Sequence, residues 1–211
     1  MFATFLGVFA SYLVGAIPFG YIAGRVLKGI DVRNYGSGNV GATNVLRTLG
    51  KGPGIVVLLL DVGKGLASVL VIGSLAVHLA WPLGPFMVRA LCGAAAIIGH
   101  DFSVFLRFTG GKGVATGLGV FLGIAPVHTP LALVAFAVAV DVTRYVSVGS
   151  LALATSLPVL MVVYRQSEWY VGLSVFWLVS VIYTHRENIR RLLRGEERRI
   201  GRKVQGPREV Q

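Results

Sequence analysis

Residues 54–77 read GIVVLLLDVGKGLASVLVIGSLAV, an apolar run whose charged residues are Asp61 and Lys64. A helix that crosses a bilayer needs about 20 mostly apolar residues, so this stretch predicts a membrane span. Ionisable residues inside a span are costly and face a site, a cavity or one another. Asp61 and Lys64 are three apart, on one helical face. They are either a structural ion pair or support for a site.

The rest of the chain fits the same solvent. Of 211 residues, 55% are hydrophobic and 14% charged, and the mean hydropathy is +0.73. A soluble domain carries about 25% charged residues. The 28 glycines suit membrane helices, where Gly is frequent. The net charge is +11, but nine of the 20 Lys and Arg lie between Arg186 and Arg208 and five between Arg25 and Lys51. Basic loops beside apolar spans follow the positive-inside rule, so nucleic acid is not an expected partner. Cys92 is the single cysteine, which excludes an intrachain disulfide or a cysteine-based metal site. The opening MFATFLGVFASYLVGAIPFG has no basic residue ahead of its apolar run. It is therefore expected to be a retained first helix rather than a cleaved signal.

Hydropathy predicts an all-α integral membrane protein with seven transmembrane helices, at 5–24, 54–77, 86–105, 114–125, 130–141, 147–164 and 169–183. The two central helices are short because Pro126 and Pro130 interrupt a run too long for one span. The connections alternate: 25–51 is basic, 78–85 is not, 107–113 holds Arg107 and Lys112, 127–129 holds neither Lys nor Arg, 143–145 holds Arg144, and 166–168 is again without them before the basic tail. That alternation predicts the N-terminus outside and the C-terminus cytoplasmic. Trp81, Trp169 and Tyr170 then fall at the non-cytoplasmic ends as an aromatic belt. One membrane domain is expected over 1–196, with a basic, disordered cytoplasmic tail at 197–211 that orients the chain or attracts anionic lipid.

Three polar clusters interrupt the apolar pattern, all on the predicted cytoplasmic side. The first, NYGSGNVGATNVLR at 34–47, offers glycine-flanked amides as an anion nest. Ser37, Asn39, Thr43 and Asn44 add neutral groups, and Arg47 a fork suited to phosphate. Read alone, it is also compatible with a flexible linker. The second, GHDFSVFLRFTGGKGVAT at 99–116, sets Lys112 among Gly110, Gly111 and Gly113 just ahead of an apolar helix, an arrangement that favours an anion. A tight turn with one snorkelling lysine is the plainer alternative. His100 and Thr116 are supporting candidates. The third, YTHRENIRRLLRGE at 183–196, places His185 and Asn188 three apart on one face. Its arginines need no more than a basic helix end.

In this order and spacing, SGNVGATNVLR (37–47), the D-x-x-KG run (61–65), GHDFSVFLRFTGGKGVAT (99–116) and HRENIRRLLRGEE (185–197) resemble the bacterial acyl-phosphate:glycerol-3-phosphate acyltransferase family. The likeness runs from about residue 11 to 196. It implies a seven-helix fold with its loops at the cytoplasmic face of the bacterial inner membrane. It also implies transfer of a fatty acyl group from acyl phosphate to the 1-hydroxyl of glycerol 3-phosphate. The products are lysophosphatidic acid and inorganic phosphate, an early step of phospholipid synthesis. By position, Ser37, Asn39, Asn44, Arg47, Gly110, Gly111, Lys112 and Gly113 are expected to bind substrate phosphate. His185 and Asn188 are expected to be catalytic, with Asp61, Lys64, His100 and Thr116 as support. No metal, cofactor or obligate protein partner is implied; the partners are the two substrates and membrane lipid. The proton acceptor is either His185 or the donor's phosphate. Ser103 stands where the family often has proline, and Thr184 where a basic residue is common. A small-anion transporter is the alternative from outside the family, though such proteins hold their sites near the bilayer midplane.

Overall fold

The computed structural model describes residues 2–79 and 83–200; Trp81 and the tail beyond residue 200 lie outside the described residues. The order is α1 Phe2–Ala16, α2 Phe19–Lys28, α3 Ala42–Thr48, α4 Lys51–Ala67, a π-helical turn Ser68–Ile72 leading into α5 Gly73–Leu79, α6 Pro85–Asp101, α7 Val114–Ile124, α8 His128–Thr143, α9 Val146–Val163, α10 Glu168–Thr184 and α11 Arg186–Leu193. Among the described residues, three helical stretches are long and apolar enough to cross a membrane: Phe2–Lys28, Lys51–Leu79 and Val146–Val163. Val114–Ile124, His128–Thr143 and Glu168–Thr184 are shorter apolar helices. The outer surface is apolar too: Phe2, Val26, Val142 and Leu59 are all more than half exposed, as side chains facing hydrocarbon are.

The first span is not one straight helix. Proline has no N–H to give and its ring clashes with the preceding turn, so α1 ends at Ala16 and α2 restarts after Pro18. The break releases two backbone carbonyls into an apolar setting, and each finds a side-chain donor. Ser103 Oγ donates to Ala16 O at 2.6 Å and Lys64 Nζ to Ile17 O at 2.9 Å. The predicted proline break in the central run also forms. It lies at Ala125–Val127, and Pro130 sits in the first turn of α8.

Glycine sets how closely the helices approach. α1 packs on α6, α4 on α7, and α8 on α9. A Cβ on Gly15 would collide with the Ala96 backbone, one on Gly65 with the Thr116 carbonyl, and one on Gly119 with the Val62 carbonyl. Small residues at these crossings admit backbone-to-backbone contact, the packing that serves where no hydrophobic effect drives helices together. The core lies where α6, α7, α9 and α10 meet. There Trp177 is fully buried and its ring lies 5.1 Å from that of Phe121.

Gly119→Ala forces α4 and α7 apart and should destabilise the protein by about 1–3 kcal/mol. Gly172→Ala meets no atom within 4 Å and should leave stability unchanged or slightly higher. Thermal unfolding of both variants in detergent, followed by helical circular dichroism, checks the contrast.

Candidate active site

The loop before α3 is shaped by Asn44. Its amide nitrogen faces Val32 O at 2.9 Å, Tyr35 O at 3.2 Å and Asn39 O at 2.8 Å, and its oxygen accepts the Ser37 N–H at 2.8 Å. Asn44 is therefore not the free phosphate ligand expected from its position. All its polar atoms hold the loop, which turns through Gly36 and Gly38 at φ 55° and 72°. Asn39 accepts the Gly41 N–H at 2.8 Å, and its amide reaches Gly110 O at 3.5 Å, tying this loop to the next.

The second loop differs from an open nest in the same way. The Gly111 N–H donates to His100 O at 2.9 Å, and a Cβ at Gly110 or Gly111 would strike the His100 carbonyl or ring. These two glycines let the loop lie flat on the end of α6, and the Gly111 amide is not left for a ligand. Gly113 turns at φ 65° to start α7, and its carbonyl accepts the Trp177 indole N–H at 3.2 Å. Thr184 Oγ1 approaches Lys112 O at 3.3 Å. Lys112 is thus pinned through backbone on both sides, while its ammonium donates to the Asn188 side-chain oxygen.

His185 sits at the junction of α10 and α11, 3% exposed. Its Nδ1 lies 2.9 Å from Val181 O. That contact assigns the proton to Nδ1 and leaves Nε2 as an acceptor. Burial, reinforced by the Lys112 charge and partly opposed by the Val181 carbonyl, pushes its pKa down to about 3. The ring is neutral at physiological pH. Burial also lowers Lys112 to about 8; the Glu197 carboxylate works against this, and Arg191 and Arg47 add to it. Arg47 is lowered chiefly by burial and then by Arg198.

Two residues absent from the sequence-based set complete the site. Glu197 stands just past the expected domain boundary, yet its side chain is only 6% exposed. It accepts from Asn188 Nδ2 at 2.7 Å, Ser147 Oγ at 3.2 Å and Arg191 Nε at 2.8 Å. The exposed stretch that follows stays tied to the domain: Arg47 Nη2 reaches Arg198 O at 3.4 Å and the Ile200 N–H reaches Arg144 O at 2.8 Å. The motif HRENIRRLLRGEE runs through 197 and was the available signal for Glu197. Nothing in the sequence pointed to Ser147.

These residues surround a cavity of about 270 Å³. Its lining includes the polar residues Ser37, Thr43, Arg47, Lys112, Ser147, His185, Asn188 and Glu197. It also includes the apolar side chains Leu58 of α4, Leu118 of α7, Leu133 and Phe136 of α8 and Leu153 of α9. Asp61 and His100 border it. Asp61 pairs with Lys64 at 2.8 Å and lies 3.7 Å from His100 Nδ1, so this trio braces the polar face from beneath. Thr116 falls outside the lining: it is fully buried where α7 meets Gly65 of α4. Among the described residues no three His, Cys, Asp or Glu side chains converge as metal ligands would.

The described residues form an all-helical protein with an apolar outer surface and one cavity whose lining joins cationic and apolar side chains. The chain belongs to the glycerol-3-phosphate acyltransferase family, whose sequence model matches residues 5–195. A glycerol-3-phosphate acyltransferase of Synechococcus sp. (strain CC9902) is 50% identical over 192 residues, covering 91% of this chain and 92% of its own. One from Chlorobaculum tepidum is 41% identical, covering 95% and 99%. Two crystal structures of PlsY (YgiH), an integral membrane glycerol 3-phosphate acyltransferase, superpose closely. The glycerol 3-phosphate form gives a TM-score of 0.85 at 38% identity over 94% of this chain and 96% of that one. The lysophosphatidic acid form gives 0.83 at 36% identity over 94% and 95%.

Lys112 loses its proton as pH rises through about 8, so the chamber should hold a doubly charged oxyanion less well above that pH. Sulfate does not titrate in this range. Its stabilisation of the protein against heat should be larger at low than at high pH, with the fall centred near pH 8. In Lys112→Gln the fall should vanish.

Proposed function

We propose that this chain transfers a fatty acyl group from acyl phosphate to the 1-hydroxyl of glycerol 3-phosphate, giving lysophosphatidic acid and inorganic phosphate. The observation that carries the reading is the joining, in the lining of one cavity, of Arg47 and Lys112 with a set of aliphatic and aromatic side chains. A long-chain acyl phosphate has a part to match each. The solved relatives, one a glycerol 3-phosphate form and one a lysophosphatidic acid form, support the same substrate and product here. They leave the transporter alternative without support.

In this mechanism the substrate hydroxyl attacks the acyl carbonyl, the acyl–phosphate C–O bond breaks, and phosphate departs with the electron pair. The leaving group is good, so a covalent acyl-enzyme is not needed. The protein's contribution is to hold two anions at contact and to offset developing charge. Arg47 and Lys112 supply the positive charge, and Ser37 and Asn188 supply hydrogen bonds. Neutral His185 offers Nε2 to orient the hydroxyl. A base whose conjugate acid has a pKa near 3 is a poor match to proton transfer near neutral pH. The hydroxyl proton therefore passes to an oxygen of the donor's own phosphate.

The seven-span arrangement belongs to the same proposal, with the N-terminus outside and the site at the cytoplasmic face of the bacterial inner membrane. The helices α1–α2, α4–α5, α6, α7, α8, α9 and α10 supply seven segments. The bonds joining Arg47, Arg144 and Asn188 to residues 197–200 support placing the basic connections on one side.

Purified protein in detergent tests the reaction. Phosphate should leave palmitoyl phosphate only when glycerol 3-phosphate is present, with lysophosphatidic acid seen by mass spectrometry; release at the same rate without the acceptor would refute acyl transfer. Lys112→Ala should lower kcat/KM at least about a hundredfold while the protein stays folded. His185→Ala should lower kcat about tenfold or less, whereas loss of a true general base costs about 10²–10⁴-fold. Leu118→Trp should raise KM for palmitoyl phosphate and leave KM for glycerol 3-phosphate nearly unchanged.

A further inference from the structure

A carboxylate in a chamber that recruits anions repels its own substrates. Yet Glu197 is buried there, on a segment that turns back at Gly195, φ 73°. Its contacts account for its presence. Arg191 pairs with it at 2.8 Å and offsets part of its charge, while the carboxylate still outweighs Arg191 in its effect on Lys112. Its Oε1 accepts the Asn188 amide N–H at 2.7 Å. An asparagine amide has a donor end and an acceptor end. With the donor end held by Glu197, the acceptor end faces the Lys112 ammonium. The flipped amide would set NH₂ against ammonium and oxygen against carboxylate. Arg191, Glu197, Asn188 and Lys112 thus form a continuous polar chain, with Ser147 as a second donor to the carboxylate.

We propose that Glu197 is a positioning residue for Lys112. It fixes the Asn188 amide that receives the ammonium, and its carboxylate opposes loss of that ammonium's proton. The proposal rests on the acyl-transfer reading above. The groups facing Lys112 are Arg47 from α3, His185 from the α10–α11 junction, Arg191 from α11 and Glu197 from the returning segment. His185 is uncharged, and Arg47 and Arg191 favour loss of the lysine proton. Glu197 is the carboxylate that opposes them.

The test compares the unmodified chain, Glu197→Gln and Arg191→Gln, each purified whole in detergent. Two readouts are followed against pH: kcat/KM for acyl transfer, and acetylation of the Lys112 amine by acetic anhydride, counted by mass spectrometry. The second needs no activity. Glu197→Gln should move both inflections to lower pH by about half a unit or more, equivalent to about a threefold rise in Lys112 acetylation near pH 7. Arg191→Gln, which removes a neighbouring positive charge, should move them upward. Uniform loss of activity in Glu197→Gln with an unmoved inflection would show a merely structural glutamate and overturn the proposal. If Glu197→Gln does not fold, an unmoved or lowered inflection in Arg191→Gln overturns it instead. An unmodified chain without acyl transfer, but with the expected acetylation shifts, would instead count against the proposed reaction.

Discussion

A carbonyl oxygen released from a helix in apolar surroundings must find a donor, because no water is at hand to supply one. The polar face of this protein is assembled by meeting that demand. Ser103 and Lys64 reach the two carbonyls freed at Pro18. Tyr12 donates to Phe102 O at 2.9 Å where α6 ends. Trp177 donates to Gly113, Thr184 approaches Lys112 O, and Asn44 holds three carbonyls of the first loop. Apart from the local bonds of Asn44, each joins distant parts of the chain, so satisfying the backbone also docks the loops. Leaving one such group unpaired costs about 1–3 kcal/mol, which makes the loop positions rigid as well as defined.

On that scaffold the charge is concentrated but not unopposed. Arg47, Lys112 and Arg191 gather around Glu197, and His185 beside them stays neutral. One carboxylate inside, and a neutral imidazole in place of an imidazolium, reduce the net positive charge that Arg47, Lys112 and Arg191 bring together beside the apolar lining of the same cavity.

The apolar helices were legible in the sequence because hydropathy is local, and helices form within a few residues of each predicted apolar segment. The three polar clusters were legible because glycine, asparagine and basic residues are conspicuous among aliphatics, and the cavity does gather Ser37, Arg47, Lys112, His185 and Asn188. What stayed hidden depends on partners far along the chain. A sequence shows that Asn44 and Gly111 have donors, but not that Val32 and His100 already take them. Pro18 lay inside a run whose hydropathy spoke for one unbroken helix. Glu197 sits in a stretch so charged that composition alone reads it as solvated, and only its pairing with Asn188 and Arg191 reverses that. The Ser103 and Thr184 hydroxyls both meet backbone carbonyls in these loops.

The return of Glu197 to the chamber, with residues 198–200 tied to the loops beside it, also bears on how the protein comes into being on the ribosome. Arg47 is made early and Arg198 late, with α4 to α11 made between them, and the two meet directly. Until the stretch through Ile200 has emerged, Asn188, Ser147 and Lys112 lack the carboxylate that organises them. A nascent chain halted before that point would own all its spans and still hold an unfinished chamber. Translation order therefore delays a working site until the membrane domain around it is in place.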